Sequence, residues 1–365
     1  MHTAPARLRI GFVPYNQGEN EYCARMCEIL GRLGAVHALP RAHLSGLLAA
    51  LRRPRRVDVA FVSWYENQML NAAGQLRLLR AGKVVLKSLL LRAYARKLVF
   101  TRHNHVPHAT VSADRPLTQH LLDAYEKYLF DGSLTHSPVE AFAGRMYCPH
   151  PLYVLEQADQ PCALPLSTSD SERVFVVFGR IEPYKQLEPL IRAFPRNARL
   201  VICGRCNDDA YLATLKSIAP KHVTIVHGFV PDAAAQELIR RSQGIVISHA
   251  SDDMVVSASF FYAMTLAQRV FAVETPFLRW ASEMLGGDTV VVSANVTQLC
   301  QSIASAPPCA APLTEREALI QKHFGDAAIA HHIERLFDRL ELHVRPVESH
   351  SEAVPAAVCC NGTLR

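Results

Sequence analysis

No uninterrupted run of 18 apolar residues occurs in the 365-residue chain, which argues against a membrane-spanning helix. The chain starts directly into an apolar strand, Leu8–Pro14, without the basic, apolar and small-residue regions of a secretory leader. A cytoplasmic origin is therefore expected. Neither a G-x-G-x-x-G fingerprint nor a Walker A loop is present, which counts against nicotinamide dehydrogenases and P-loop nucleotidases. There is no clear Asp-x-Asp metal motif and no internal repeat of fixed short period. His103, His105 and His108 have no Cys close by and do not follow a zinc spacing, so no metal is expected there. Acids are scarce over 41–102, where only Asp58 and Glu66 stand among 13 Lys and Arg. No helix-turn-helix spacing, RNA-binding aromatic strand or zinc finger accompanies that basic stretch, so no nucleic-acid partner is expected.

The ten cysteines do not read as a disulfide framework in a chain this long without a leader. Cys203 and Cys206 have redox spacing. Cys203 nevertheless ends an apolar strand, and no helix opens at the pair as in thioredoxin, so a structural role is expected. Cys359 and Cys360 read as exposed thiols in a polar tail.

A composition of 49% hydrophobic and 20% charged residues is ordinary for a globular protein, and the length suggests two domains. The net charge of +6 is uneven: residues 1–150 carry 20 basic and 10 acidic residues, whereas the remainder is mildly acidic. Such a split suggests that one half faces a polyanion, for which charge alone admits nucleic acid, an anionic membrane surface or a phosphate-bearing substrate.

Apolar strand runs alternate with amphipathic helices, the pattern of parallel α/β sheets. In the first half the strands are Leu8–Pro14, Val57–Ser63 and Lys97–Thr101, with a helix near 21–33. Each strand ends in a polar cluster: Pro14–Asn20, Trp64–Asn67 and Arg102–His108. Open parallel sheets bind ligands at the carboxyl ends of their strands, so the three clusters should line one edge. The polar, Pro/Ser-rich segment 156–172 reads as a linker between a domain over 1–155 and a second over 173–324. The second series has strands Arg173–Phe178, Arg199–Cys203, His222–Val226, Gly244–Ser248 and Arg269–Val273, with helices near 183–194, 208–218, 232–242 and 257–267. A closing helix follows over 325–343, and 344–365 reads as a disordered tail.

Two segments carry chemistry. In Val174-Phe-Val-Val-Phe-Gly-Arg-Ile-Glu-Pro-Tyr-Lys185 a buried strand ends at Gly179, which permits close approach of a ligand. Arg180 and Lys185 then flank a strand-to-helix turn, a spacing suited to a diphosphate, or else form a surface basic pair. Farther on, Ser257, Ala258 and Ser259 open the helix near 257–267. Free N–H groups and the helix dipole favour phosphate there; the alternative is a plain serine N-cap. Asp208-Asp209 and Asp252-Asp253 read as caps or solvated acids.

Taken in order, these segments resemble the GT-B glycosyltransferases. The strand with Phe178-Gly-Arg180 and Lys185 resembles the diphosphate clamp of their C-terminal domain, and the later runs over 200–204, 226–232, 245–252 and 261–273 follow that domain's order. The large retaining branch carries a helix Glu where this chain has Tyr262, a partner acid where it has Met254, and Gly where it has Gln186 and Ala267. A closer resemblance is to the β-1,4-mannosyltransferases of xanthan-type exopolysaccharide assembly, glycosyltransferase family 94. The matching stretches are Glu19-Asn-Glu-Tyr22, Trp64-x-Glu66, Thr101-Arg-His-Asn104 with Pro107-His108, Phe178–Lys185 and Ser257-Ala-Ser259. The resemblance implies a GT-B fold of two Rossmann-like domains facing across a cleft. It implies inverting transfer, without metal or other cofactor, from GDP-mannose to a polyprenyl-diphosphate-linked oligosaccharide at the cytoplasmic face of the inner membrane. Gly179, Arg180, Tyr184, Lys185, Ser257, Ala258 and Ser259 would bind the donor; Asn20, Trp64, Asn104 and His108 would bind the acceptor.

An inverting transfer needs a base from the first domain. Glu66 is the first choice, just past a strand end in an acid-poor stretch; the alternative is a salt bridge to a nearby arginine. His103 is the second, as base or sugar-binding group, and Trp64 either faces a sugar ring or is core. Residues 76–97 hold seven basic residues and no acid. They read as an interfacial helix on anionic lipid, or as an amphipathic core helix with a solvated basic face. A non-catalytic homologue that only binds nucleotide or a partner, and a transferase using a UDP-sugar, are the competing functions.

Overall fold

The computed structural model describes residues 7–15, 21–39, 57–107, 110–141, 144–155, 173–249, 255–266, 268–307 and 312–342. The expected linker 156–172, the tail 344–365, and Asn20, His108, Asp252, Asp253 and Met254 lie outside them.

The apolar runs form two six-stranded sheets, parallel throughout. The first contains β1 (Arg9–Val13), β2 (Ala35–Ala38), β3 (Val57–Ser63), β4 (Ala95–Arg102), β5 (Gly132–Thr135) and β6 (Arg145–Tyr147), in the order β2-β1-β3-β4-β5-β6. Its helices are α1 (Glu21–Leu33), α2 (Leu78–Tyr94) and α3 (Arg115–Leu129). The second sheet holds β7 (Val174–Phe178), β8 (Arg199–Gly204), β9 (Val223–His227), β10 (Gly244–Ile247), β11 (Val270–Val273) and β12 (Val290–Ser293). Their order, β12-β11-β10-β7-β8-β9, is the doubly wound Rossmann arrangement, with its reversal between β7 and β10. Around it lie α4 (Leu187–Ala193), α5 (Asp209–Ile218), α6 (Asp232–Arg241), α7 (Ala258–Thr265), α8 (Pro276–Leu285), α9 (Val296–Ser305) and α10 (Leu313–Phe324).

Both sheets are covered on both faces, which is why their strands read as near-continuous apolar runs. In α1 the inward residues Tyr22, Met26, Ile29, Leu30 and Leu33 recur at helical spacing. The last helix, α11 (Asp326–Arg339), follows the second domain in the chain but packs on the first. Ile329, Ile333, Leu336 and Phe337 enter the same core as Ile10, Phe12, Val59 and Phe61. Arg25 of α1 fixes this return by an ion pair to Asp326 and a hydrogen bond to the carbonyl of Leu152.

The structure differs from the sequence reading between 183 and 194. Pro183–Lys185 form a single 3-10 turn, Gln186 is left-handed (φ 54°), and α4 starts only at Leu187. Pro183 and the left-handed residue divide what the periodicity predicts as one helix. The pair Asp208-Asp209 is a cap: the Asp208 carboxylate accepts from the Tyr211 N–H at the start of α5. Cys203 and Cys206 are buried free thiols, and burial pushes Cys203 up to about 12.

Candidate active site

In the second domain, the pairing of β7 with β8, beside the reversal between β7 and β10, brings two strand ends together. Gly179 follows β7 with φ 101°, and Gly204 closes β8 with φ 149°. A Cβ on Gly204 would lie 2.1 Å from the Gly179 carbonyl oxygen, so only glycine lets the two turns approach this closely. The turn returns Lys185 over Gly179: its Nζ lies 3.4 Å from where a Gly179 Cβ would be. Ser248, just past β10, donates its hydroxyl to the Lys185 carbonyl and pins that turn. Lys185 is buried, and desolvation, reinforced by Arg180, lowers its ammonium to about 8. Arg180 is exposed. Tyr184, half exposed, meets the buried His249 edge-on at 5.1 Å.

The start of α7 joins this cluster, since the Ser259 hydroxyl lies 3.5 Å from the Phe178 carbonyl. Ser257 occupies the N-cap but, among the described residues, its side chain closes no capping hydrogen bond, unlike Thr275 at the start of α8. Gly179, Arg180, Lys185 and the uncapped first turn of α7 are thus brought together as a cationic, donor-rich crevice. Where retaining enzymes carry an acid, Tyr262 packs its ring against Phe178 at 4.8 Å and Tyr153 at 5.6 Å. Phe229, 88% exposed beyond β9, is an outlying apolar surface on the same sheet edge that the sequence reading overlooked.

In the first domain, consecutive strand ends deliver aromatic and imidazole rings. Trp64, after β3, is left-handed (φ 56°), a conformation that costs a non-glycine residue about 1 kcal/mol. It stacks on His103 at 4.2 Å and 14°. His103 follows β4, and His136 follows β5. Tyr22 of α1 touches the rings of Trp64, His103 and His136 at 4.8–5.4 Å. Burial drives His103 well below its ordinary value and His136 to about 4, so both are neutral. The Nε2 atoms of His103 and His136 are buried without a hydrogen-bond partner among the described residues. The turn after β4 is held by Arg102, which is 2% exposed and donates to the carbonyls of Asn104 and His105 while pairing with Asp123 and Glu126. Asn104 itself is buried.

Glu66 sits in the 3-10 turn Tyr65–Met69 after β3, with 1% of its surface exposed. The arginine pairing weighed above is not what the fold makes: among the described residues Glu66 forms no ion pair, and its Oε2 has no partner. Burial raises its carboxyl from 4.5 to about 7, with Arg102 pulling it down and Glu126 pushing it up. His136 was not singled out from the sequence. Its signal was the rule that located His103, a polar residue just past a parallel strand.

Among the described residues no group of three or more His, Cys, Asp or Glu is arranged to hold a metal ion. No described helix is long and apolar enough to cross a membrane. On α2 the burial pattern is unusual: Val84, Leu90 and Leu91 face inward, but Leu78, Leu79, Leu86 and Leu89 are 43–86% exposed. At 3.6 residues per turn these four fall within an arc of about 100°.

No family model and no curated protein matches the chain. Solved structures do. HepE from Anabaena, crystallised with UDP, aligns with a TM-score of 0.61 at 12% identity, over 91% of this chain and 99% of that one. The chain has the GT-B fold. An α,α-trehalose-phosphate synthase (UDP-forming) from Burkholderia xenovorans aligns at 0.56 and 11% identity, over 92% of this chain and 100% of that one. AviGT4, a glycosyltransferase of avilamycin A biosynthesis, aligns at 0.54 and 15%, over 91% and 98%. In GT-B terms, the Gly179–Lys185 crevice belongs to the C-terminal Rossmann-like domain and the ring cluster to the N-terminal one.

Proposed function

We propose that this GT-B protein is an inverting glycosyltransferase that needs no metal and moves a sugar from a nucleoside-diphosphate sugar to a lipid-linked acceptor. The observation that carries this reading is the convergence of Gly179, Arg180, buried Lys185 and the uncapped start of α7 at the reversal between β7 and β10. Such a crevice neutralises the charge that develops on a leaving diphosphate. A neutral phenol, Tyr262, in place of an acid favours direct displacement over a retaining route. The acceptor hydroxyl attacks the anomeric carbon, the bond to the diphosphate breaks, and Glu66 takes the proton, with Trp64 and His103 shaping the acceptor side.

Mannose from GDP-mannose, delivered to a polyprenyl-diphosphate-linked oligosaccharide, is the first assignment, resting on the motif resemblance. A UDP-sugar is the second, favoured by the UDP bound in HepE. A thermal-shift panel of GDP-mannose, GDP-fucose, UDP-glucose, UDP-galactose and UDP-glucuronate, with GDP and UDP, separates them. Binding at 100 times Kd should add about 2.7 kcal/mol of stability. Selective stabilisation by GDP compounds supports mannose; stabilisation by none of them sinks the transferase reading.

The outward leucines of α2, within a stretch that has no acid, fit a surface that lies on anionic lipid at the cytoplasmic face of the membrane. Leu79→Asp with Leu86→Asp should weaken binding to vesicles containing phosphatidylglycerol roughly 100-fold, at about 1.5 kcal/mol or more per leucine. Unchanged co-sedimentation of the folded double variant would exclude this surface.

A further inference from the structure

The ring cluster does not stop at the edge of the first domain. His150, past β6, lies 5.2 Å from His136 and 5.0 Å from Tyr22, and it stacks on Phe261 of α7 at 4.6 Å and 21°. Trp64, His103, His136, His150 and Phe261 therefore form one unbroken row of rings. It begins at the acceptor side and ends on the helix whose first turn faces the Gly179–Lys185 crevice. The row is fixed in orientation. His136 donates Nδ1–H to the Cys148 carbonyl at 2.9 Å, and His150 donates Nδ1–H to the Pro151 carbonyl at 2.7 Å, since a carbonyl oxygen only accepts. The segment carrying His150 holds α7 again one turn later, where the Tyr153 N–H donates to Thr265 Oγ1 at 2.9 Å. Helix α7 is thus clamped at Phe261 and Thr265 by the stretch of chain that leaves the first domain.

We infer that His150 is a positioning residue, whose stack on Phe261 sets α7, and with it the donor diphosphate, relative to the acceptor-side rings. This rests on the transferase reading and adds to it a residue that touches neither substrate. A flat ring at 150 is what the contact uses, because the two rings stack at 21° and the Nδ1–H is turned to the Pro151 carbonyl. Phenylalanine should therefore serve and alanine should not.

The two tryptophans give a direct readout. Trp64 begins the row, whereas Trp280 lies in α8 against Phe277 and Tyr147, so Trp280→Phe leaves Trp64 as the only reporter. In that background, titration with UDP and GDP should change Trp64 emission when nucleotide occupies the crevice. His150→Ala should abolish the change while leaving the nucleotide Kd, read by thermal shift, within about threefold; His150→Phe should restore it. In turnover with the donor that binds, His150→Ala should lower kcat at least tenfold with little change in donor KM, and His150→Phe should recover most of that loss. An undiminished Trp64 response in His150→Ala, wild-type binding without any Trp64 response, or equal effects of alanine and phenylalanine would each overturn the assignment. If wild type binds neither nucleotide, the transferase reading fails and this one with it.

Discussion

Glu66→Gln should make the protein inactive and more stable at once. In the folded chain the Glu66 carboxyl ionises at about 7 rather than 4.5, because burial penalises its charge. The folded state thus holds a proton that the unfolded chain releases, so stability falls as pH rises from about 4.5 and levels off above about 7. At pH 8 the full cost is on the order of 3 kcal/mol, at about 1.4 kcal/mol per pH unit of displacement. Glutamine removes that cost, so urea unfolding at pH 8 should show a gain of about 3 kcal/mol that vanishes near pH 4. Turnover should fall by roughly 10²–10⁴, the range for loss of a general base. Wild-type kcat/KM should rise with pH through about 7 and the rise should be absent in the variant. A rising limb well below pH 6 instead, surviving Glu66→Gln, would transfer the role to His103, whose imidazole is neutral throughout the neutral range.

Lys185→Met has the same double signature at the other side of the cleft. Desolvation, reinforced by Arg180, lowers the Lys185 ammonium from 10.5 to about 8. The unfolded chain binds this proton more tightly than the folded one, so stability falls as pH drops from about 10.5 to about 8 and the penalty is complete at pH 7. Methionine fills the same volume without charge. It should raise ligand-free stability at pH 7 by about 3 kcal/mol, on the same scale of about 1.4 kcal/mol per pH unit. Nucleotide binding should weaken by roughly 100-fold, since a buried charged hydrogen-bond partner of phosphate is worth 2–5 kcal/mol. In wild type the affinity for UDP or GDP should strengthen as pH falls from about 9 to about 7, because the complex favours protonated Lys185. Calorimetry at pH 8.5 in buffers of differing ionisation heat should detect proton uptake. Equal affinity across that range, or Lys185→Met binding as tightly as wild type, would remove Lys185 from the diphosphate site.

The strands that were legible in the sequence are those with long apolar runs, such as Val57–Ser63 and Val174–Phe178, which are buried on both faces. Their carboxyl ends located Trp64, Glu66, His103 and Gly179. Strands β5 and β6 were not legible. Gly132-Ser-Leu-Thr135 and Arg145-Met-Tyr147 are short, polar and at one side of the sheet, where pairing rather than hydrophobicity defines them. With them went His136 and His150. The outward leucines of α2 were ambiguous because apolar residues occur all round that helix, and only packing decides which are buried. Buried Glu66 feels the charges of Arg102 and Glu126 and lies near the Tyr125 phenol, groups from β4 and α3, a meeting that no local pattern encodes.

The return of α11 to the first domain has a consequence for biosynthesis. The core around Ile10, Phe12 and Phe61 is incomplete until Ile329, Ile333 and Phe337 have left the ribosome. At about 5–20 residues per second the intervening second domain delays that moment by on the order of ten seconds or more. Throughout that delay α1 and one face of the first sheet present uncovered apolar side chains. The nascent first domain is therefore a natural client for a holdase, and the second domain, although made later, is the one able to finish folding first.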